Sequence, residues 1–208
     1  MLDSLGAWDA HNVTEDADLG IRLARHGYRT ELIGTVTMEE ANCRALPWIK
    51  QRSRWIKGYM MTWAVHMRAP RQLWRQLGPR GFLGLQVLFP GTIAQFLLAP
   101  LLWSFLALTF AVPHPLSDVL PVAAIWLIAG TFFLSEAANI FIGALGLGRT
   151  SHGLSLLWVL TLKAYYPLAS IAAYKGLLEL ATRPFYWDKT THGLFDHAVG
   201  TRQAPRGA

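Results

Sequence analysis

The chain of 208 residues has too few charged side chains for an ordinary soluble domain, since 52% of its residues are hydrophobic and 15% are charged. Soluble domains average about 25% charged residues. Residues 81–117 contain no Lys, Arg, Asp or Glu, and this stretch is longer than the roughly 20 apolar residues that span a bilayer. The composition therefore excludes a purely soluble domain and predicts a membrane protein with a polar amino-terminal region.

The net charge of +6 is concentrated just ahead of the apolar part, where nine basic residues and no acid lie between Arg44 and Arg80. Such a flank is typical of the cytoplasmic side of a membrane span. It also attracts anionic lipid headgroups or a phosphate-bearing substrate. Nucleic-acid binding is the weaker hypothesis, because the basic residues lead straight into an apolar segment. The lone Cys43 excludes an internal disulfide and a cysteine-based metal site.

The amino-terminal region, residues 1–45, is typical of an α/β fragment. A helix is predicted from Glu15 to about His26, because acids lie in its first turn and arginines in its last. Thr14 is the expected N-cap of this helix. Residues 30–38 are rich in β-branched side chains and predict a strand. The chain opens without a signal sequence, and we expect it to begin in the middle of a domain.

A second helix is predicted from Pro47 to about Met67, since proline is tolerated at the first helical position. Its aromatic and aliphatic side chains share one arc, and basic residues lie on the opposite side. Those basic residues are Lys50, Arg54 and Lys57. The pattern is typical of a helix in the membrane interface. Arg52 breaks it, because it projects into the apolar arc and needs a partner there.

Helical spans are predicted at residues 85–112 and 120–145, with the proline-rich turn between them outside and Arg149 inside. A third apolar segment, 154–181, contains charged residues, and we expect a kinked, re-entrant or interfacial element with the tail inside. The fold class is thus an α/β fragment followed by an α-helical transmembrane region. The chain divides into four regions: 1–45, 46–80, 81–182 and 183–208.

Residues 13–19 form the first cluster of side chains that are suited to catalysis. A carboxylate at a helix start is held ionised by backbone amides and the helix dipole, which suits a general base acting on a hydroxyl. Glu15 and Asp16 are the candidates. The alternative is that these acids only complement the positive end of the helix.

The second cluster, Gln51–Trp55, lies on the amphipathic helix. Two arginines and a glutamine can hold a pyrophosphate through charge-assisted hydrogen bonds. Trp55 offers a flat apolar face to a ring-shaped ligand. The alternative is an interfacial helix with tryptophan anchors and long basic side chains that reach water.

The third cluster, Trp187–Gly193, lies in the tail, where Lys189 and His192 are able to contact phosphate. An ordinary interfacial tail anchored by Trp187 is the alternative. Glu136 and Lys163 lie within apolar segments, where charged residues are candidates for function and would suit a transporter.

Taken together, Thr14–Asp16 followed by the Gln-x-x-Arg-Trp pattern of residues 51–55, just before membrane spans, resembles the family 2 glycosyltransferases of the cellulose synthase type. The surrounding residues 8–16, 48–59 and 187–193 resemble the bacterial exopolysaccharide branch. The resemblance covers about residues 1–195. It implies that region 1–45 is the distal part of a GT-A catalytic domain, region 46–80 an interface helix, region 81–182 the membrane region and region 183–208 a cytoplasmic tail.

The resemblance also implies roles for individual residues. Asp16 would be the catalytic base and Glu15 would shape the acceptor site, while Trp55 would stack on the acceptor sugar. The remaining substrate-binding residues would be Thr14, Gln51, Arg52, Arg54, Lys189, Thr190 and His192. The implied reaction is inverting transfer of a hexose from a UDP-linked sugar to a growing polysaccharide. The implied location is the bacterial inner membrane, with several spans and a cytoplasmic catalytic side.

The family's uridine-binding acid and its metal-holding Asp-x-Asp have no counterpart in this sequence. Mg²⁺ or Mn²⁺ is expected for the complete enzyme, but its ligands are not in this chain. Residues 16–18 spell Asp-Ala-Asp, which we interpret as part of the base motif. We therefore expect the isolated chain to be inactive and a separate amino-terminal half to be a possible partner. A non-catalytic membrane scaffold and a transporter component are the alternatives.

Overall fold

The computed structural model describes residues 6–9, 12–31, 33–35, 42, 44–105, 110, 112–116, 118–149 and 155–186. These residues are built from helices joined by short turns. Two of the connections are themselves helical, a π-helical turn at Val87–Gly91 and a 3₁₀ turn at Leu162–Tyr165. The helices are α1 Glu15–Arg25, α2 Ala45–His66, α3 Pro70–Gln86, α4 Thr92–Ser104, α5 Val122–Gly148, α6 Leu157–Thr161 and α7 Tyr166–Thr182.

Helix α1 forms where the charge pattern predicts it, with acids in its first turn and arginines in its last. Gly27 follows with a φ of 80°, a backbone conformation that glycine adopts without strain. Thr14 occupies the predicted N-cap position, but its side chain makes no capping hydrogen bond. Its hydroxyl bonds to other side chains instead.

The predicted strand is only partly covered by the structure. Thr30, Glu31 and residues 33–35 are exposed and carry no regular secondary structure. The other residues of 30–38 lie outside the described residues. The α/β character of the amino-terminal region therefore stays a prediction.

Helix α2 is the centre of the described structure and packs along α7. The contact is close because small residues line α7: Ala172 and Ala173 are fully buried. A Cβ on Gly176 would lie 2.8 Å from the carbonyl oxygen of Ser53. Small residues let two helix backbones approach in this way. Apolar residues of α2 complete this core: Ile49, Ile56 and Met60.

The basic side of α2 differs from the sequence-based expectation. Lys50 is exposed, as an interfacial helix requires. Arg54 and Lys57, however, are only 8% and 0% exposed. Lys57 is buried because Glu179 of α7 and the chain that follows α7 cover it. This part of the polar side is thus an internal contact and not a solvated face.

A second core holds α1 against α2 and α3. Ile21, Leu73, Leu85 and Phe89 are buried together, and Tyr59 and Trp63 of α2 pack on them. Burial of one such large apolar side chain stabilises a fold by about 1.5–3 kcal/mol. The core fixes the start of α1 relative to the helix that carries residues 51–55.

Two stretches are long and apolar enough to cross a membrane by length and composition, Pro70–Ser104 and Val122–Gly148. Only 17% and 6% of their most apolar windows are buried inside the protein, unlike the core helix of a soluble fold. The first stretch contains a kink at Gly78, where φ is 68°. The third apolar segment contains the 3₁₀ turn, and its kinked, re-entrant or interfacial placement in a membrane stays a prediction.

Candidate functional site

The start of α1 is docked on α2 through buried polar contacts. Asn12 Nδ2 donates to Thr62 Oγ1 at 2.7 Å, and Thr14 Oγ1 lies 3.3 Å from the same oxygen. Asn12 Oδ1 in turn accepts a hydrogen bond from the Thr14 N–H at 3.0 Å. All three residues are less than 9% exposed. The first cluster predicted from the sequence is therefore held directly on the helix that carries the second cluster.

Gly58 makes this approach possible. A Cβ at Gly58 would lie 2.7 Å from both Cγ2 and Oγ1 of Thr14. Real Cβ atoms essentially never come that close to another heavy atom. The absence of a side chain at Gly58, three residues after Trp55, is thus what lets Thr14 sit against α2.

Asp16 lies in the first turn of α1 and is exposed. Its Oδ1 accepts a hydrogen bond from the Ala17 N–H at 2.8 Å. The positive end of the helix favours a negative charge at this position. Glu15, next to it, is partly buried. An exposed carboxylate on a rigidly docked helix start is able to accept a proton from a bound hydroxyl.

Asp18 has a different environment and a structural task. Arg22 Nε lies 2.8 Å from its Oδ2, and His66 Nε2 lies 2.9 Å from its Oδ1. Burial raises the pKa of Asp18, but the His66 hydrogen bond and the Arg22 charge outweigh it, so that the pKa lies below its ordinary value. Asp18 is occupied by these partners, and the interpretation of residues 16–18 as part of the base motif stays a prediction.

His66 of α2 belongs to a hydrogen-bond network that joins three helices. Its Nε2 donates to Asp18, since a carboxylate only accepts, and its Nδ1 accepts from Arg25 NH1 at 2.9 Å, since a guanidinium only donates. Arg25 Nε also donates to Gln76 Oε1 of α3 at 2.8 Å. The network fixes α1 at its far end, as Thr14 does at its start.

The Gln-x-x-Arg-Trp cluster is spread around α2. Gln51 Oε1 accepts a hydrogen bond from Asn42 Nδ2 at 2.9 Å. The Arg52 guanidinium lies 5.3 Å from the ring centroid of Trp48 and 4.5 Å from that of Trp55. The partner that Arg52 needs is therefore aromatic, through cation–π contacts. Burial lowers the pKa of Arg52, which nevertheless keeps its charge.

Arg52 and Trp55 line a cleft of about 350 Å³ between α2, α4 and the start of α7. Its walls are mainly aromatic, with a few polar groups. A mostly apolar cleft with few convergent polar groups is typical of a small-molecule site. The lining residues include Trp48, Tyr59, Gln95, Phe96, Tyr165 and Tyr166.

The other predicted site residues are placed as follows. Arg54 is buried within α2, and Trp55 is 41% exposed at the cleft. Lys189, Thr190 and His192 lie outside the described residues. Within the described part of the chain, no three His, Cys, Asp or Glu residues form a group that could hold a metal ion. The metal expected for the complete enzyme, and the position of its ligands, stay predictions.

Sequence reasoning missed a buried ionic cluster beside this helix. Lys57 of α2 lies 3.7 Å from Glu179 Oε2 of α7, and Lys175 pairs with Oε1 of the same carboxylate. The spacing of Lys175 and Glu179 by four residues is a recognisable helix pair. No sequence pattern identified Glu179 as the partner of Lys57, because it lies 122 residues further along the chain.

Comparison with known proteins identifies the family to which this chain belongs. The family model described as "Glycosyl transferase family group 2" matches residues 1–140 of the 208. A beta-monoglucosyldiacylglycerol synthase of Synechocystis sp. is 32% identical over 105 residues, which cover 48% of this chain and 22% of the relative. No solved structure shows a significant match. With its family match over well over half of its length, the chain belongs to family 2 of the glycosyltransferases.

Proposed function

We propose that this chain is the acceptor-binding and membrane part of an inverting glycosyltransferase of the cellulose synthase type, from the bacterial exopolysaccharide branch. It adds a hexose from a UDP-linked donor to a growing polysaccharide. The observation that carries the proposal is the docking of Thr14 on Gly58 of α2. This contact joins the carboxylate-bearing helix start to the helix of the Gln-x-x-Arg-Trp cluster, the pair of features on which the resemblance depends.

In the proposed reaction Asp16 accepts the proton of the acceptor hydroxyl. The hydroxyl oxygen then attacks the anomeric carbon from the side opposite the nucleoside diphosphate, and the bond from that carbon to the diphosphate oxygen breaks. The configuration at the carbon therefore inverts. A positioned base of this kind contributes about 10²–10⁴-fold to a rate. No step is assigned to a metal, because the described residues do not provide its ligands.

The aromatic cleft is the proposed acceptor site. Tyr and Trp rings provide flat apolar faces with a polar edge. Trp55 of α2 and Tyr166 of α7 line this cleft. Arg52, for which the resemblance implies a role at the donor pyrophosphate, lines it as well. Gln51 and Arg54 are assigned to the side of the diphosphate, with Lys189, Thr190 and His192 of the tail.

The proposed membrane placement follows from the two apolar stretches and their charged flanks. Arg71 and Arg75 are exposed on α3, ahead of the kink at Gly78. This kink separates the basic first half of α3 from the apolar part that continues into α4. Arginines at such a position favour contact with anionic headgroups on the cytoplasmic side of the inner membrane.

A lipid acceptor is the second candidate function. It is favoured by the relative from Synechocystis, whose name states that it makes a glucosylated diacylglycerol. The predominance of apolar surface in the cleft is compatible with an acyl or glycerolipid acceptor.

The experiment that tests the proposal supplies UDP-[¹⁴C]glucose and other labelled UDP-hexoses to membrane vesicles containing this chain with a co-expressed amino-terminal half of a related enzyme. Labelled material that is insoluble in organic solvent and absent with Asp16→Ala supports the polysaccharide acceptor. Label that partitions entirely into chloroform and methanol would contradict the polysaccharide acceptor and support the lipid acceptor. Transfer by the chain alone at the full rate would contradict the expectation that a separate half is needed.

A further inference from the structure

Lys57 is the largest completely buried side chain of the described residues, and it lies two residues after Trp55 on α2. Its ammonium group faces three electron-rich partners. These are the Glu179 carboxylate at 3.7 Å, the backbone carbonyl of Tyr186, and the ring of Tyr186 with its centroid 6.0 Å away. A buried ammonium group is costly unless it is paired and hydrogen-bonded, so this arrangement is specific.

The cluster contains more positive charge than an ion pair between two helices requires. Glu179 pairs with Lys57 through Oε2 and with Lys175 through Oε1, so two lysines share one carboxylate. Lys175 also donates to Ser53 Oγ at 3.3 Å, and it therefore already ties α7 to α2. Lys175 thus supplies one polar link between α7 and α2, and the distinctive contact of Lys57 is the Tyr186 carbonyl.

Tyr186 lies in a turn that closes α7. The Arg183 N–H donates to the Glu179 carbonyl at 2.7 Å, and the Tyr186 N–H donates to the Arg183 carbonyl at 3.1 Å. Lys57 adds the link from this turn to α2. Tyr186 directly precedes Trp187–Gly193, the third cluster of the sequence.

We propose that Lys57 is a positioning residue for sugar transfer, which ties the turn at Arg183–Tyr186 to the helix of the Gln-x-x-Arg-Trp cluster. The inference rests on the proposed function for its kinetic consequence, since Lys189 and His192 are predicted to contact the donor phosphates. Its structural part, the anchoring of Tyr186 by Lys57, is independent of any activity.

The test compares Lys57→Met with Lys175→Met, in the full chain and in membranes. Each variant removes one positive charge and leaves one lysine for Glu179, so the cluster becomes neutral in both cases. Methionine keeps most of the apolar stem and tolerates a buried site. Lys57→Arg restores a cationic donor and is the conservative variant.

Hydrogen exchange of the peptide spanning Arg183–Tyr186 is measured first. We expect about tenfold faster exchange in Lys57→Met than in the wild type, the scale of a lost charged hydrogen bond, and a smaller effect in Lys175→Met. In the transfer assay with the complementing half, we expect the KM for the UDP-sugar to rise about tenfold in Lys57→Met, with kcat less affected. Lys57→Arg should bring both the exchange rate and the KM part of the way back to the wild-type values.

Wild-type exchange and wild-type KM in Lys57→Met would overturn the proposal, as would equal effects of the two methionine variants. If even the wild type transfers no sugar, the proposed function fails, whereas the exchange comparison still decides whether Lys57 anchors Tyr186.

Discussion

Gly58 is the residue on which the contact between the two clusters most directly depends. An added methyl group would meet the Thr14 side chain at 2.7 Å, so Gly58→Ala must displace Thr14 and the start of α1. Overpacking of this kind destabilises a protein by about 1–3 kcal/mol. We expect a lower unfolding temperature and a loss of transfer activity, because Asp16 follows Thr14 by two residues.

Gly20→Ala is the matched control for this prediction. Gly20 lies within α1, and a Cβ there would have no neighbouring atom within 4 Å. Alanine is better than glycine in a helix interior by about 1 kcal/mol, so this variant should be as stable as the wild type or more so. Equal behaviour of the two variants in thermal unfolding would contradict the role assigned to Gly58.

The lowered pKa of Asp18 predicts that the stability of the fold depends on pH. Its pKa is lowered in the folded protein, because the His66 hydrogen bond and Arg22 outweigh the effect of burial. Its contribution is therefore present above its ordinary pKa, at about pH 4, and is lost as the pH falls through the lower folded value. We expect Asp18→Asn to be less stable than the wild type at pH 7 by about 1–3 kcal/mol, and this difference to shrink below about pH 4.

Chemical unfolding of the protein in detergent at pH 7 and at pH 3 measures the difference. The exposed residue Asp118 supplies the control, since Asp118→Asn should leave stability unchanged at both pH values. A difference between wild type and Asp18→Asn that stays constant down to pH 2 would show that the carboxylate charge is not responsible.

Among the elements, α1 was predictable from local signals. Its signals are all local in sequence: acids in the first turn, arginines in the last turn, and Gly27 shortly after the end. Helix α2 was predictable in extent, since it begins two residues before Pro47 and ends at His66. The burial of Lys57 was not predictable, because α7 covers it from a distant part of the sequence.

The candidate site, too, was predictable only in part. The residue types of Thr14–Asp16 and Gln51–Trp55 predict the chemistry of the site, but no local pattern showed how the two clusters meet. That contact depends on a missing side chain at Gly58 and on Asn12 and Thr62, whose polar groups bond across 50 residues. Arg52 is a further case: the sequence required a partner for it, and the structure provides two tryptophan rings.

The apolar helices α4 and α5 lead to a prediction about the topology of the chain in the membrane. If Pro70–Ser104 and Val122–Gly148 both cross the membrane, the connection between them and the α1 region lie on opposite sides. In a Cys43→Ser background, Val119→Cys should react with an impermeant maleimide on intact spheroplasts. Arg29→Cys should react only after disruption; both positions are exposed. Labelling of Arg29→Cys on intact spheroplasts would contradict the cytoplasmic catalytic side.

At the scale of the whole molecule, the described residues bring two features of the candidate site together. They supply a docked carboxylate and an aromatic cleft, while metal ligands are not found among them. The chain spans about a fifth of the length of the curated relative it matches. The need for another polypeptide segment that binds the nucleotide stays a prediction.

The measurement that tests the central claim most directly is sugar transfer in vesicles that contain this chain and the complementing half, with Asp16→Asn against Glu15→Gln. Asp16→Asn keeps the size of the side chain and removes the base. We expect its rate to fall by about 10²–10⁴-fold with the UDP-sugar KM little changed, and Glu15→Gln to lose much less. An Asp16→Asn enzyme with wild-type turnover would contradict the assignment of Asp16 as the catalytic base.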